Sequence, residues 1–259
     1  MTVSKKTAIA LAAALLCATT TARAEIIGTY DFNDNQVPDG WSFTSWSPRN
    51  GYGAIENQRF QVHNIDGGGY LTYDLNGESY DSLTMTYIGS MESIYWGNSN
   101  WLRVETDGGA FVSRSRMASY NYGSNRMRAD IFEGDDRFGN LHTYADTIGA
   151  VPNDPGTYRW THTLQDGSLN MLVQDLESGA VIHDVTAAIP LMDLSTATSL
   201  SLYQYINAES YHYTPIMGWI DDLVITGTPV GVPEPGSLAL FATGLFGLTR
   251  LRRRNPGKA

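Results

Sequence analysis

The sequence predicts an all-β fold, an antiparallel β-sandwich, and three observations lead there. Short runs rich in aromatic and β-branched residues alternate with period two. Glycine-centred turn signals separate them. No stretch of about twelve residues or more keeps a helical period. Many short strands joined by polar, glycine-rich turns make a sandwich or a barrel.

In chain order, the strand-like runs are Phe60–Asn64, Tyr70–Leu75, Leu83–Ile88, Trp101–Glu105, Tyr158–Leu164, Leu169–Asp175, Ala180–Val185, Leu200–Ile206 and Trp219–Ile225. The turn signals are Asp66-Gly-Gly-Gly69, Asn76-Gly77, Asp107-Gly-Gly109, Asp166-Gly167 and Ser178-Gly179. Asp166-Gly167, between Leu164 and Leu169, is the clearest hairpin. Trp41, Trp160 and Trp219 lie in or beside strand patterns and are expected in the core.

The ends have a different character. Lys5 and Lys6 precede an apolar run from Ala8 to Ala18, and Ala22-Arg23-Ala24 is a small-x-small cleavage site. Residues 1–24 therefore read as a secretory signal peptide, with the mature protein starting at Glu25. The only cysteine, Cys17, lies inside this segment. The exported domain has no disulfide, so its core must hold without one.

At the other end, residues 229–259 hold Pro233-Glu234-Pro235, an apolar run over about 236–251, and an arginine-rich stop at Arg250, Arg252, Arg253 and Arg254. Proline suits the first turn of a helix. Sixteen residues as a helix span roughly 24 Å, a little short of a relaxed membrane span. Snorkelling arginines make up the difference and keep their end cytoplasmic. The expectation is a single C-terminal transmembrane helix with the domain, residues 25–228, outside.

The order Pro-Glu-Pro, apolar helix, basic stop resembles the PEP-CTERM sorting signal of Gram-negative bacteria. That resemblance implies a membrane-embedded cysteine peptidase, exosortase, as processing partner. It also implies cleavage near Pro233, Glu234 and Pro235, with Arg252, Arg253 and Arg254 as the stop. Its setting is exopolysaccharide and biofilm matrix, so the resemblance implies an inner-membrane intermediate and then a cell-surface or extracellular product. An ordinary membrane anchor is the alternative, with Pro-Glu-Pro only a stiff hinge.

Between the two ends, residues 25–232 carry nine arginines, no lysine and 26 acids, a formal charge of −17. Such a domain repels nucleic acid and anionic lipid and excludes nucleic-acid binding. It suits divalent cations and neutral polar partners.

Tyr30–Trp41 and Gly218–Ile225 resemble the first and last strands of jelly-roll domains of the lectin-like, carbohydrate-binding and MAM types. In several of those families, acids of these two strands share a calcium ion. Here Asp31, Asn33, Asp34, Asp221 and Asp222 stand in the matching places, so one structural Ca²⁺ is expected. Strand alternation turns either Asp221 or Asp222 towards the packed face, where an unpaired charge is costly and a hard cation relieves it. A solvated acid pair at a strand edge is the alternative.

The enzyme search yields little. Jelly-roll glucanases place Glu-x-Asp-x-Glu on one strand face, and this chain has no such run. Glu133-Gly-Asp135-Asp136 reads as a solvated loop. The five histidines have no metal-ligand spacing, and there is no Gly-x-Ser-x-Gly elbow. A non-catalytic protein is expected, with a glycan hydrolase or lyase as the remoter alternative.

A binding surface is easier to argue. Tyr95, Trp96, Asn98, Trp101, Tyr120, Tyr122 and Arg126 fall among glycine, asparagine and serine. Sugar rings stack their apolar faces on flat aromatics while amides and guanidinium groups take the hydroxyls. Glycan or exopolysaccharide binding is thus the sharper expectation. Cross-strand packing of these aromatics, giving a structural or adhesive protein with no defined ligand, is the blander one.

Overall fold

The computed structural model describes residues 24–37, 39–46, 52–63, 67–92, 97–117, 125–135, 139–207 and 216–230. Glu25–Pro229 forms one compact unit with its own core. Residues Met1–Ala24 and Val230–Ala259 fall outside that unit. Among the described residues no helix is long and apolar enough to cross a membrane. The expected span at 236–251 lies outside them.

The unit is a sandwich of two antiparallel sheets. The eight-stranded sheet runs β13 (Val181–Ala188), β12 (Ser168–Asp175), β11 (Gly156–Gln165), β6 (Tyr80–Met91), β15 (Ile216–Pro229), β4 (Arg59–His63) and β3 (Tyr52–Glu56), with β1 (Glu25–Tyr30) added on β15. The seven-stranded sheet runs β10 (Gly139–Ala150), β9 (Arg126–Asp135), β8 (Gly109–Met117), β7 (Gly97–Thr106), β14 (Ser199–Asn207), β5 (Gly67–Asp74) and β2 (Trp41–Trp46). One 3₁₀ turn, Leu194–Thr196, precedes β14 and is capped by the Asp193 carboxylate.

Alternation sets the core. In β6, Leu83, Met85 and Tyr87 point inwards; in β11, Tyr158, Trp160, His162 and Leu164 do so; in β12, Leu169, Met171 and Val173. The seven-stranded sheet answers with Leu71, Leu102, Val104, Phe111, Ile131, Leu200 and Leu202. Register pins Trp160 opposite Tyr87 and Val173, and the Tyr87 and Trp160 rings stack at 5.2 Å.

Polar atoms also bridge the two sheets. The Trp160 indole N–H donates to Ser115 Oγ at 2.8 Å. His162 shares hydrogen bonds with the Tyr87 hydroxyl at 3.2 Å and with Ser113 Oγ at 2.6 Å. Burial pushes the His162 imidazole down to about 3, so it is neutral. The serine–histidine pair is fully buried and is faced by a tyrosine where a triad has an acid. It holds the sheets together.

The Asp166-Gly167 hairpin is present: Gln165 pairs with Ser168 and Gly167 has φ +69°. The Asn76-Gly77, Asp107-Gly108 and Ser178-Gly179 turns also connect strands. Three expectations change. Gly67, Gly68 and Gly69 are not a turn; they lie within β5, paired to β14 and β2. A Cβ on Gly68 would stand 2.7 Å from the Gln204 carbonyl oxygen, so glycine here serves close backbone approach. Glu133–Asp135 belong to the end of β9, and the Glu133 carboxylate accepts from the Tyr144 hydroxyl at 3.2 Å. Trp219 faces outwards, because Ile220 takes the core position, and the Arg59 guanidinium lies 4.0 Å over its ring.

Candidate carbohydrate-binding face

The seven-stranded sheet has an inner face on the core and an outer face turned away from it. Cross-strand register aligns one row of outer residues across all seven strands: Thr44, Tyr70, Tyr203, Trp101, Arg114, Asp130 and Asp146. At about 4.8 Å per strand, this row is roughly 29 Å long. The row above holds Thr72, Ser201, Arg103, Val112 and Phe132, and the row below holds Tyr205, Ser99, Arg116 and Arg128.

The centre of the row is aromatic. Tyr70 and Tyr203 stack at 4.8 Å, and Trp101 meets Tyr203 edge-on at 4.8 Å. Trp101, Val112 and Phe132, with Tyr203 packed against them, form an apolar cluster separate from the main core. Trp101 is only 7% exposed, and its indole N–H has no acceptor among the described residues. A buried donor left in that state costs about 1–3 kcal/mol.

One end of the row is a ladder of alternating charge. Arg114 grips Asp130 with two bonds, at 3.0 and 2.6 Å, although both side chains are almost fully buried. Arg128 reaches Asp130 at 3.5 Å and grips Asp146 with two bonds of 2.8 Å. Arg103 pairs with Glu105 at 2.8 Å. The Arg114 guanidinium also lies 4.9 Å from the Phe132 ring. Five of the nine arginines of the acidic domain, Arg103, Arg114, Arg116, Arg126 and Arg128, thus share one face, and paired guanidinium and carboxylate groups there are held rigidly.

Of the expected ligand residues, Trp101 lies in this row on a strand, and Arg126 is exposed at the start of β9. Asn98 is fully buried and shares the inward parity of Leu102 and Val104, so it faces the sandwich interior. Tyr95, Trp96, Tyr120 and Tyr122 lie outside the described residues. Sequence reasoning marked Tyr203 as a candidate stacking aromatic but missed Tyr70, Arg114, Asp130 and Arg128 and their grouping with it. Alternation in each strand carried the signal, but only cross-strand register assembles it.

The acids expected around calcium converge on one corner, because Tyr30 pairs with Leu223. The Asp31 carboxylate accepts from the Asn33 amide and side chain at 3.2 and 2.8 Å, and Asp34 accepts from the Gln36 amide at 2.9 Å. Asp221 accepts from the Asp222 amide and pairs with Arg59 at 3.5 Å; burial pushes its carboxyl up while that amide and Arg59 pull it down. A bulge lies between Asp221 and Val224, with Asp222 at φ +51°. Ile220 and Leu223 are therefore both in the core while Asp221 and Asp222 both stay out of it. The parity conflict expected from simple alternation does not arise. The oxygen donors suit a hard cation in kind. Among the described residues no three His, Cys, Asp or Glu side chains gather closely enough to hold one.

Comparison with known proteins adds two findings. The family described as the PEP-CTERM protein-sorting motif matches residues 231–254. The chain carries that motif, and the motif implies export, a C-terminal membrane anchor before sorting, and exosortase as the processing partner. No curated protein matches the chain. Solved structures share the fold. The CBM2 module of the evolved Dit of Lactobacillus casei BL23 phage J-1 matches with TM-score 0.58 at 11% identity, over 80% of this chain and 97% of that one. Lectin UEA-II, complexed with galactose, matches with TM-score 0.53 at 10% identity, over 78% and 99%. The endo-β-1,3-glucanase of Pyrococcus furiosus matches with TM-score 0.53 at 10% identity, over 79% and 94%. The domain is thus a jelly-roll-like sandwich with lectin, carbohydrate-binding and glycanase neighbours.

Proposed function

We propose that this exported, exosortase-sorted protein is a non-catalytic glycan-binding module of the cell surface or extracellular matrix. Its ligand lies along the outer face of the seven-stranded sheet. One observation carries the reading: an aromatic and arginine row crosses that face, with the half-buried rings of Tyr70 and Tyr203 stacked at 4.8 Å in its centre. These two rings supply stacking surface, and the more exposed end of the ladder, Arg128 with Asp146, supplies donors and acceptors. The charges of the ladder are internally matched, so the face suits a neutral polysaccharide segment. The carbohydrate-associated structures of the same fold agree with this reading, although fold alone does not carry function.

The carboxylates of the face argue against hydrolysis. Asp130 is clamped between two guanidinium groups, Asp146 is gripped by Arg128, and Glu105 is held by Arg103. A glycosidase needs two carboxyls free to flank the scissile bond, and these three are each held in an ion pair. One calcium ion at the β1–β15 corner belongs to the same proposal. Asp31, Asp34 and Asp222 are exposed there, and a cation would have to draw Asp31 and Asp34 from the local amides they now accept from.

The test is a glycan-array and affinity-electrophoresis screen of residues 25–229, which hold the whole core. Tyr70→Ala and Tyr203→Ala sit on half-buried positions and should abolish binding in a domain that still unfolds cooperatively, at a lower melting temperature because stacking is lost. A purely structural reading draws on the burial of Trp101. It predicts no glycan binding by the wild-type domain, and that result would overturn the proposal.

A further inference from the structure

The outer face does not end at the aromatic row. Towards the start of β14 it opens into a cleft of about 500 Å³ between β2, β5 and β14, within the range of about 300–1,000 Å³ usual for small-ligand sites. We propose that this cleft is a separate subsite for a single neutral, polyhydroxylated ring of monosaccharide size. The inference shares its ligand class with the glycan-binding reading and otherwise rests on different residues.

The lining carries the argument. Ser42, Thr72 and Thr198 bring hydroxyls, Asp74 a carboxylate and Asn76 a carboxamide, while the Trp41 ring packs inwards on Tyr30 and Tyr73 beneath the cleft. Hydroxyl donors and acceptors beside one carboxylate match the many O–H groups of a sugar. Among the described residues the cleft lining holds no cation, so an anionic sugar is repelled by Asp74.

The frame is preformed. The Asp74 amide donates to the Gly40 carbonyl and the Leu75 amide to the Thr198 carbonyl, both at 3.1 Å. One Asp74 oxygen accepts from the Asn76 amide at 2.8 Å, and the Asn76 side chain donates back to the Asp74 carbonyl at 3.2 Å. Asn76 and Gly77 both hold positive φ in this turn, +52° and +76°. A rim fixed in this way loses little freedom on binding. Tyr203 lies four residues along β14 from Ser199 of the cleft, roughly 13 Å away. The cleft and the aromatic row are therefore distinct places on one face.

The experiment is amide-resolved NMR of residues 25–229 titrated with glucose, galactose, mannose, N-acetylglucosamine and glucuronate. At least one neutral sugar should shift the amides of Asn76, Gly77, Thr198 and Ser199, and glucuronate should not. Asp74→Asn keeps an oxygen for the Asn76 amide but removes the charge, and should weaken that sugar by about tenfold or more. Tyr203→Ala should leave it unchanged. Cleft amides silent to every neutral sugar, or affinity unaltered by Asp74→Asn, would overturn the subsite. Polysaccharide binding lost in Tyr203→Ala beside a silent cleft would refute the subsite alone and leave the face reading standing. Sugar-induced shifts at the cleft without any polysaccharide binding would do the reverse.

Discussion

Replacing His162 with glutamine should flatten the acid side of the stability profile. The imidazole is fully buried between the sheets, and burial pushes it from 6.5 down to about 3. Below pH 6.5 the unfolded chain therefore holds more protons at this position than the folded one. Stability is present above pH 6.5 and is lost as pH falls towards about 3, with a slope of up to about 1.4 kcal/mol per unit. Integrated from pH 7.5 to 5.0, one such group removes about 2 kcal/mol. For a domain of this size that is a fall of roughly 4–8 °C in melting temperature. The assay is urea or thermal unfolding of residues 25–229 and of His162→Gln at both pH values. The variant starts lower, since Tyr87 and Ser113 lose the imidazole they bond, but its fall between the two pH values should be smaller by that amount. The remaining histidines, including His183 with its lowered value, contribute to both proteins and cancel in the difference. Equal acid losses in the two proteins would refute the buried, neutral imidazole.

Four further outcomes are expected. Arg114→Ala leaves the buried Asp130 carboxylate with only the longer Arg128 contact and should cost about 3 kcal/mol by denaturant unfolding, whereas Arg114→Met with Asp130→Leu should recover most of that stability. Gly68→Ala drives a methyl against the Gln204 carbonyl and should cost about 1–3 kcal/mol; an unchanged melting temperature would show that β5 has room. Millimolar calcium should raise the melting temperature, with the rise abolished by chelator and by Asp31→Asn with Asp222→Asn; no response would remove calcium from the β1–β15 corner. Glu234→Ala should fold normally yet fail to reach its sorted location, as followed by fractionation, and normal delivery would sink exosortase processing.

Much of the sandwich was legible because alternation is a local property. Tyr158–Leu164 and Leu169–Asp175 read as strands since every second side chain is large and apolar. Asp166-Gly167 reads as their turn since Gly167 takes positive φ. β8 and β9 were harder to read. Their inward positions include Ser113, Ser115 and Ala129, while arginines occupy the outer ones. The apolar signal therefore disappears just where the candidate site lies. β10, at the edge of its sheet, carries Thr143, Asp146, Thr147 and an exposed Ile148, so one-sided burial left no pattern to find.

By itself the sequence determined the sorting motif, the charge and the fold class. A sorting motif, an apolar run and a basic stop are contiguous, and composition needs no folding to be counted. Tertiary structure alone decided which residues share a surface. Tyr70, Trp101, Arg114, Asp130 and Tyr203 come from five strands spread over more than 130 positions. Only the pairing of β5 with β14, β14 with β7, β7 with β8 and β8 with β9 sets them in one row. Register is a relation between distant segments, fixed by which faces bury the core, and no local pattern in any one of those strands contains it.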